Sequence, residues 1–214
     1  MAIDTNVLKK NMLEAGKSLA LFAVVASALV AITYLMTKST IAENEKQSLL
    51  KSLHVLVPDD IHDNDLFSDN ISINVPELNY RNHPITIYRA RMNNEPVAAI
   101  FSVTAPDGYS GAIKMLVAIK MDESIAGVRV VSHKETPGLG DAIDIEKSDW
   151  IRIFEQRSLS NPIEKQWRVK KDGGQFDQLT GATITPRAIV KMTKKSLLYF
   201  VKHKQQVFES ANNG

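Results

Sequence analysis

The sequence predicts an α+β protein: one N-terminal transmembrane helix followed by a mixed domain of helices and antiparallel sheet. Three observations carry this expectation. Residues 19–36 contain no charged side chain. Strand-like runs follow one another between residues 85 and 132, separated by turn signals. Helical spacing then returns towards the C-terminus, most clearly over residues 186–208. Strands in series with helices at the ends place the chain in the α+β class. At 214 residues it holds one substantial domain and an anchor.

Taken in order, the apolar run reads LALFAVVASALVAITYLM. With Ser18 and Thr37 it reaches about 20 residues, enough to cross the roughly 30 Å hydrocarbon layer as a helix. Lys17 and Lys38 mark its edges, and Tyr34 lies near the distal interface. Thr40-Ile41-Ala42 could serve as a small-x-small cleavage site. The run is, however, longer than the roughly 7–15 residues of a signal-peptide core, which favours a retained anchor. The expected organisation is therefore a tail over residues 1–17, a span over 18–37 and an extramembrane domain over 38–214. Lys9, Lys10 and Lys17 precede the span and Lys38, Lys46 and Lys51 follow it, so charge leaves the orientation open.

Beyond the span, Ile41, Leu49, Leu53 and Leu56 suggest an amphipathic helix stopped by Pro58 and continuous with, or close behind, the first. Residues 59–77 are rich in Asn and Asp and read as loop with at most one short strand. Residues 85–90 alternate, Asn93-Asn94-Glu95-Pro96 turns, and residues 97–105 are apolar and β-branched. After the turn Asp107-Gly108-Tyr109-Ser110-Gly111, residues 112–121 and 127–132 form two more strands with a tight connection. Ser148 caps a helical stretch over 148–154, and residues 166–170 read as a short strand before Asp172-Gly173-Gly174. The final helix packs Ile189, Val190, Leu197, Leu198 and Val201 on the sheet.

Composition excludes several chemistries. Twenty-six Lys and Arg against 24 Asp and Glu leave no basic footprint for nucleic acid. The absence of cysteine rules out thiol catalysis, iron–sulfur ligation and Cys-based zinc sites in this chain. Five histidines show no HxxxH-type spacing and are assigned to the surface, with no metal site expected. No nucleophile–base constellation marks a self-contained hydrolase or transferase.

The most informative run is Asp177-Gln178-Leu179-Thr180-Gly181-Ala182-Thr183-Ile184-Thr185-Pro186. On local grounds Thr185 and Pro186 make a good N-cap and first helical residue, and Gly181 a turn residue. A Thr-Gly-Ala-Thr core with an Asp upstream also resembles the acceptor at which a flavin transferase joins FMN to protein. The two readings are compatible, because a helix N-terminus favours phosphate. Three further segments precede it in order: residues 105–111 (APDGYSG), 135–141 (ETPGLGD) and 170–174 (KKDGG). With the short tail and single span, these resemble the G subunit of the Rnf (Rsx) ion-translocating electron transport complex over almost the whole chain. The C subunit of the sodium-pumping NADH:quinone oxidoreductase is a relative with a similar FMN domain.

The resemblance implies a domain on the outer face of the bacterial inner membrane, carrying one FMN esterified to Thr183. It implies electron transfer among neighbouring subunits that couple flow between NADH and a ferredoxin-like carrier to Na⁺ or H⁺ transport. The partners it implies are those subunits, membrane lipid, and a flavin transferase that reads Asp177 during maturation. Thr136, Leu139, Gly140, Thr180, Gly181, Ala182 and Thr185 are the expected flavin contacts, with Leu139 on the ring face. Lys171, or Lys170, is expected to offset phosphate charge. Blander roles stand beside these: Pro137-Gly138 as a turn, the lysine pair as a solvated face, and Asp177 as a loop residue bonding nearby N–H groups. Trp150 and Trp167 fit core better than flavin stacking. The alternative function is an anchored periplasmic scaffold or binding module with Thr183 unmodified.

Overall fold

The computed structural model describes residues 5–209. Helix α1 (Thr5–Leu56) runs unbroken through the apolar segment and the amphipathic stretch behind it. By length and composition it is able to cross a membrane. Leu19, Phe22, Leu29, Val30, Leu35 and Met36 are all exposed, so its apolar side chains stand on every side of the helix. The hydroxyls of Thr33 and Thr37 donate to the carbonyls of Leu29 and Thr33 at 2.8 and 2.9 Å, so neither needs water. Two compact units follow along the chain, divided between Ser48 and Leu49.

The second unit is built on a five-stranded antiparallel meander in the order β1–β2–β3–β4–β5. Its strands are β1 (Asn70–Ile73), β2 (Ile85–Met92), β3 (Glu95–Ala105), β4 (Ile113–Lys120) and β5 (Ile125–Ser132). Asn93 and Asn94 take φ of 52° and 68°, the paired left-handed geometry of a tight hairpin turn between β2 and β3. Both faces of the sheet are covered, which explains why β3 and β4 read as nearly continuous apolar runs rather than clean alternations. Phe101, Val103, Met115, Val117 and Ile119 pack under helix α2 (Ile184–Glu209) and the segment leading to it. Ala98, Ile100, Leu116 and Ala118 face the other way, against Leu53 and Leu56 of α1 and against Val57 and Leu66. Leu49 joins that cluster, whereas Ile41 is exposed and lies outside the buried face.

The far end of α2 is pinned to β2 by charge. Arg89, 2% exposed, meets Asp69 at 2.6 Å and donates to the Val207 carbonyl at 3.2 Å. Arg91 bonds the same carboxylate at 2.9 Å and the Phe208 carbonyl at 2.9 Å. A carboxylate shared by two arginines satisfies a buried cation that would otherwise be costly.

Between β5 and α2 the chain forms short 3-10 helices over a compact aromatic core. Ser148 caps Asp149–Phe154 as expected, its hydroxyl accepting from Trp150 N at 2.9 Å. Residues 166–170 are not a strand. They lie between 3-10 turns at Glu164–Gln166 and Lys170–Asp172, and their pairing is one isolated bridge, Val169 to Phe176. Trp167 and Val169 are instead held by burial: Trp167 lies 4.8 Å from Phe176 and 6.4 Å from Phe154, ring centre to ring centre. Trp150 closes the same cluster at 5.7 Å from Phe154.

Candidate functional site

The site is assembled where three of the sequence segments meet. Residues 179–182 make a β-turn closed by Ala182 N donating to Leu179 O at 3.1 Å. Gly181 occupies its third position at φ 77°, a conformation that glycine adopts without strain. Thr183 follows directly, and α2 begins at Ile184, earlier than a Thr185 cap predicts. The first backbone bond of the helix runs from Arg187 N to Thr183 O at 3.3 Å. Thr185 does not cap because its hydroxyl is committed elsewhere: it is fully buried and donates to Glu135 Oε2 at 2.5 Å.

Glu135, 5% exposed, is the hub of the site. Its Oε1 accepts from the backbone N–H of Ser110 at 3.0 Å, so one carboxylate joins the 107–111 turn, the 135–141 segment and the start of α2. Gly140 makes this possible. A Cβ there would stand 2.8 Å from Glu135 Oε2 and 3.1 Å from the Thr185 hydroxyl. Across the gap, a Cβ on Gly181 would stand 3.1 Å from Leu139 Cδ2, so the 135–141 and 180–185 loops touch.

These loops enclose a cavity of about 490 Å³ lined by Tyr109, Glu135, Thr136, Leu139, Gly140 and residues 181–185. Its volume lies in the ordinary range for a small-molecule site. Three of its linings are large apolar side chains left exposed: Tyr109 at 69%, Leu139 at 46% and Ile184 at 44%. Of the expected contacts, Thr136, Leu139, Gly140, Gly181, Ala182, Thr183 and Thr185 line it, while Lys171 and Thr180 do not.

The 170–174 segment braces the 177–183 loop from outside. Lys170 Nζ reaches Asp177 Oδ1 at 2.6 Å, and Lys171 N donates to the Gln178 side chain at 3.2 Å. Arg187, in the first turn of α2, grips Asp172 with two bonds of 2.6 and 2.7 Å. That grip holds the Asp172 carboxyl below its ordinary pKa and lifts the guanidinium above its own. Trp150 Nε1 donates to the Asp177 carbonyl at 2.8 Å, fixing the loop's first residue from the core side. Sequence reasoning missed Glu135, Tyr109 and Ile184 as site residues. Tyr109 and Glu135 lie within the 105–111 and 135–141 segments, but nothing in their spacing marks a carboxylate that will be buried.

The residues fit a flat, phosphate-bearing ligand. Apolar side chains stand exposed on the cavity, glycines thin the backbone on its two walls, and one lining threonine directly precedes a helix start. An antiparallel meander closed by such a cavity defines a small cofactor-binding domain, and residues 108–198 match the FMN-binding domain family. Residues 1–56 match the RnfG N-terminal region. The chain is 44% identical over 208 residues, 97% of each chain, to the G subunit of the ion-translocating oxidoreductase complex of Vibrio atlanticus (strain LGP32). It is 44% identical to the G subunit of the corresponding complex of Pseudoalteromonas atlantica (strain T6c / ATCC BAA-1087), over 96% of this chain and 95% of that one. Against that of Aliivibrio fischeri (strain ATCC 700601 / ES114) it is 45% identical, over 88% and 90%. The chain belongs to the family of these G subunits.

Proposed function

We propose that this chain is the electron-carrying G subunit of an Rnf-type ion-translocating oxidoreductase, with FMN joined by a phosphoester to Thr183. Bound flavin supplies the redox chemistry, and the chain supplies position and surroundings. The observation that carries the assignment of Thr183 is the different fate of three neighbouring threonines. Thr185 is buried with its hydroxyl spent on Glu135. Thr180 does not line the cavity. Thr183 is half-buried, lines the cavity and directly precedes α2. The N–H groups of Ile184 and Thr185 precede the first intrahelical bond and are suited to a phosphate there. Tyr109, Leu139 and Ile184 would flank the isoalloxazine and keep its edge open to a partner subunit. Asp177, held by Lys170 and Trp150, would present the loop to the transferase.

Thr183→Ala tests this directly. The variant should fold and insert with normal circular dichroism, yet show no flavin fluorescence in its denatured band on a gel. Mass spectrometry finding FMN on Thr180 or Thr185 would overturn the assignment. A flavin-free wild-type protein would point to an anchored scaffold instead.

The same reading sets residues 1–17 in the cytoplasm, 18–37 in the bacterial inner membrane among its lipids, and 38–214 in the periplasm. The orientation rests on the family resemblance. Protease added to spheroplasts should then digest the chain beyond residue 41, and complete protection would refute the topology. Electrons would pass between neighbouring subunits, with NADH and a ferredoxin-like carrier at the ends and Na⁺ or H⁺ as the ion moved.

A further inference from the structure

We propose that His54, Asp59 and His62 form a binding site for one divalent transition cation of the zinc class, fastening the last turn of α1 to the loop behind it. The three side chains each offer a ligand atom, all within 4.8 Å of one another. His62 is the informative member. Its side chain is 5% exposed, against the surface position its sequence context predicts, and its Nε2 has no hydrogen-bond partner. Its Nδ1 lies 3.0 Å from the Asn64 carbonyl. A carbonyl only accepts, so Nδ1 carries a proton, and in the neutral imidazole Nε2 presents a lone pair. A buried acceptor left unmet is uncommon and calls for an explanation. The nearest charged group it faces is the Asp59 carboxylate, which can only accept as well, at 3.5 Å.

A cation resolves this conflict of two acceptors. Metal bonds of about 2.0–2.1 Å at tetrahedral angles separate ligand atoms by roughly 3.3 Å, close to the His62–Asp59 spacing. His54 Nδ1 stands 2.5 Å from the same carboxylate oxygen and would open by somewhat less than 1 Å. His54 and Asp59 can move that far, with side chains 45% and 79% exposed. Two imidazoles and one carboxylate suit Zn²⁺ and its neighbours, and disfavour Ca²⁺ or Mg²⁺, which take oxygen ligands. The outer partners are already in place. Asn64, whose carbonyl orients His62, is itself held by Nδ2 bonds of 3.1 Å to Asp69 and 2.9 Å to the Arg89 carbonyl.

The test is equilibrium dialysis of the full-length chain in detergent, purified on a tag without histidine and stripped with EDTA, against ZnCl₂. Elemental analysis should find one zinc per chain at low-micromolar free metal. His54→Ala, Asp59→Asn and His62→Gln should each weaken binding at least tenfold, with flavin content unchanged, while His83→Ala should match the wild type. His54 and Asp59 are the surface ligands, so His54→Ala decides the matter even if a His62 variant fails to fold. A wild-type chain that takes up no stoichiometric zinc would overturn the proposal. So would a His54→Ala chain that binds as tightly as the parent.

Discussion

Thr185 donates its hydroxyl to Glu135 at 2.5 Å, a buried bond between positions 50 residues apart in sequence. It ties the start of α2 to the 135–141 segment, and through Ser110 N on the other carboxylate oxygen it reaches the β3–β4 turn. Three walls of the cavity therefore share one side chain. Bonds to a charged acceptor contribute about 1.5–3 kcal/mol each. Glu135→Ala should destabilise the domain by about 2–4 kcal/mol, since it also strands a buried hydroxyl and an amide. Flavin occupancy should fall with it, and Glu135→Gln should do less on both counts. Urea titrations with flavin absorbance per chain would decide. Unchanged stability in the Ala variant would mean the brace carries nothing.

The Asp172–Arg187 pair allows a prediction in pH. The Arg187 bonds depress the folded-state pKa of Asp172. Its stabilising effect is therefore present above the ordinary carboxylate pKa and is lost as pH falls through the lower folded value. Both side chains are in solvent, so the effect is small. Asp172→Asn should melt slightly below the wild type near neutral pH, and the two should converge in the acid range. A gap that stays constant with pH would show that the ion pair is not its source.

The meander was legible in the sequence because turn chemistry punctuates it. Asn93-Asn94 and Asp107-Gly108 mark the reversals wherever the β-branched runs end. Two features escaped for physical reasons. Residues 166–170 have strand-like composition, but their apolar members Trp167 and Val169 are buried by the aromatic core and not by a ladder. The helix start at Ile184 was obscured because Thr185 and Pro186 carry strong local capping signals, while a partner 50 residues away claims the Thr185 hydroxyl. The cavity was half legible. Glycines and threonines announced the loops, but the apolar rim needs Tyr109 and Ile184, each from a different segment. The nearness of His54 to His62 was hidden by a loop that carries Pro58 and folds back on the helix end.

Leu139 gives the sharpest probe of the cavity itself. It is 46% exposed, so an apolar side chain is held at the surface where burial does not require one. It touches the 179–183 loop at Gly181, one residue from Ala182 and two from Thr183. If it covers the flavin ring, a carboxylate in its place would oppose the negative charge that reduction adds. At about 4 Å in a water-like dielectric that repulsion is about 1 kcal/mol. For a two-electron couple this lowers the potential by roughly 20 mV, and by more if the site is drier. Leu139→Asp should thus shift the flavin's absorption and lower its potential, with the ester proposed at Thr183 still formed. The proposed ester would depend on the threonine and the loop that presents it, neither of which the substitution alters. Spectroelectrochemical titration of wild type and variant reads both quantities. Identical spectra and potentials would place the ring away from Leu139 while leaving the tether in place.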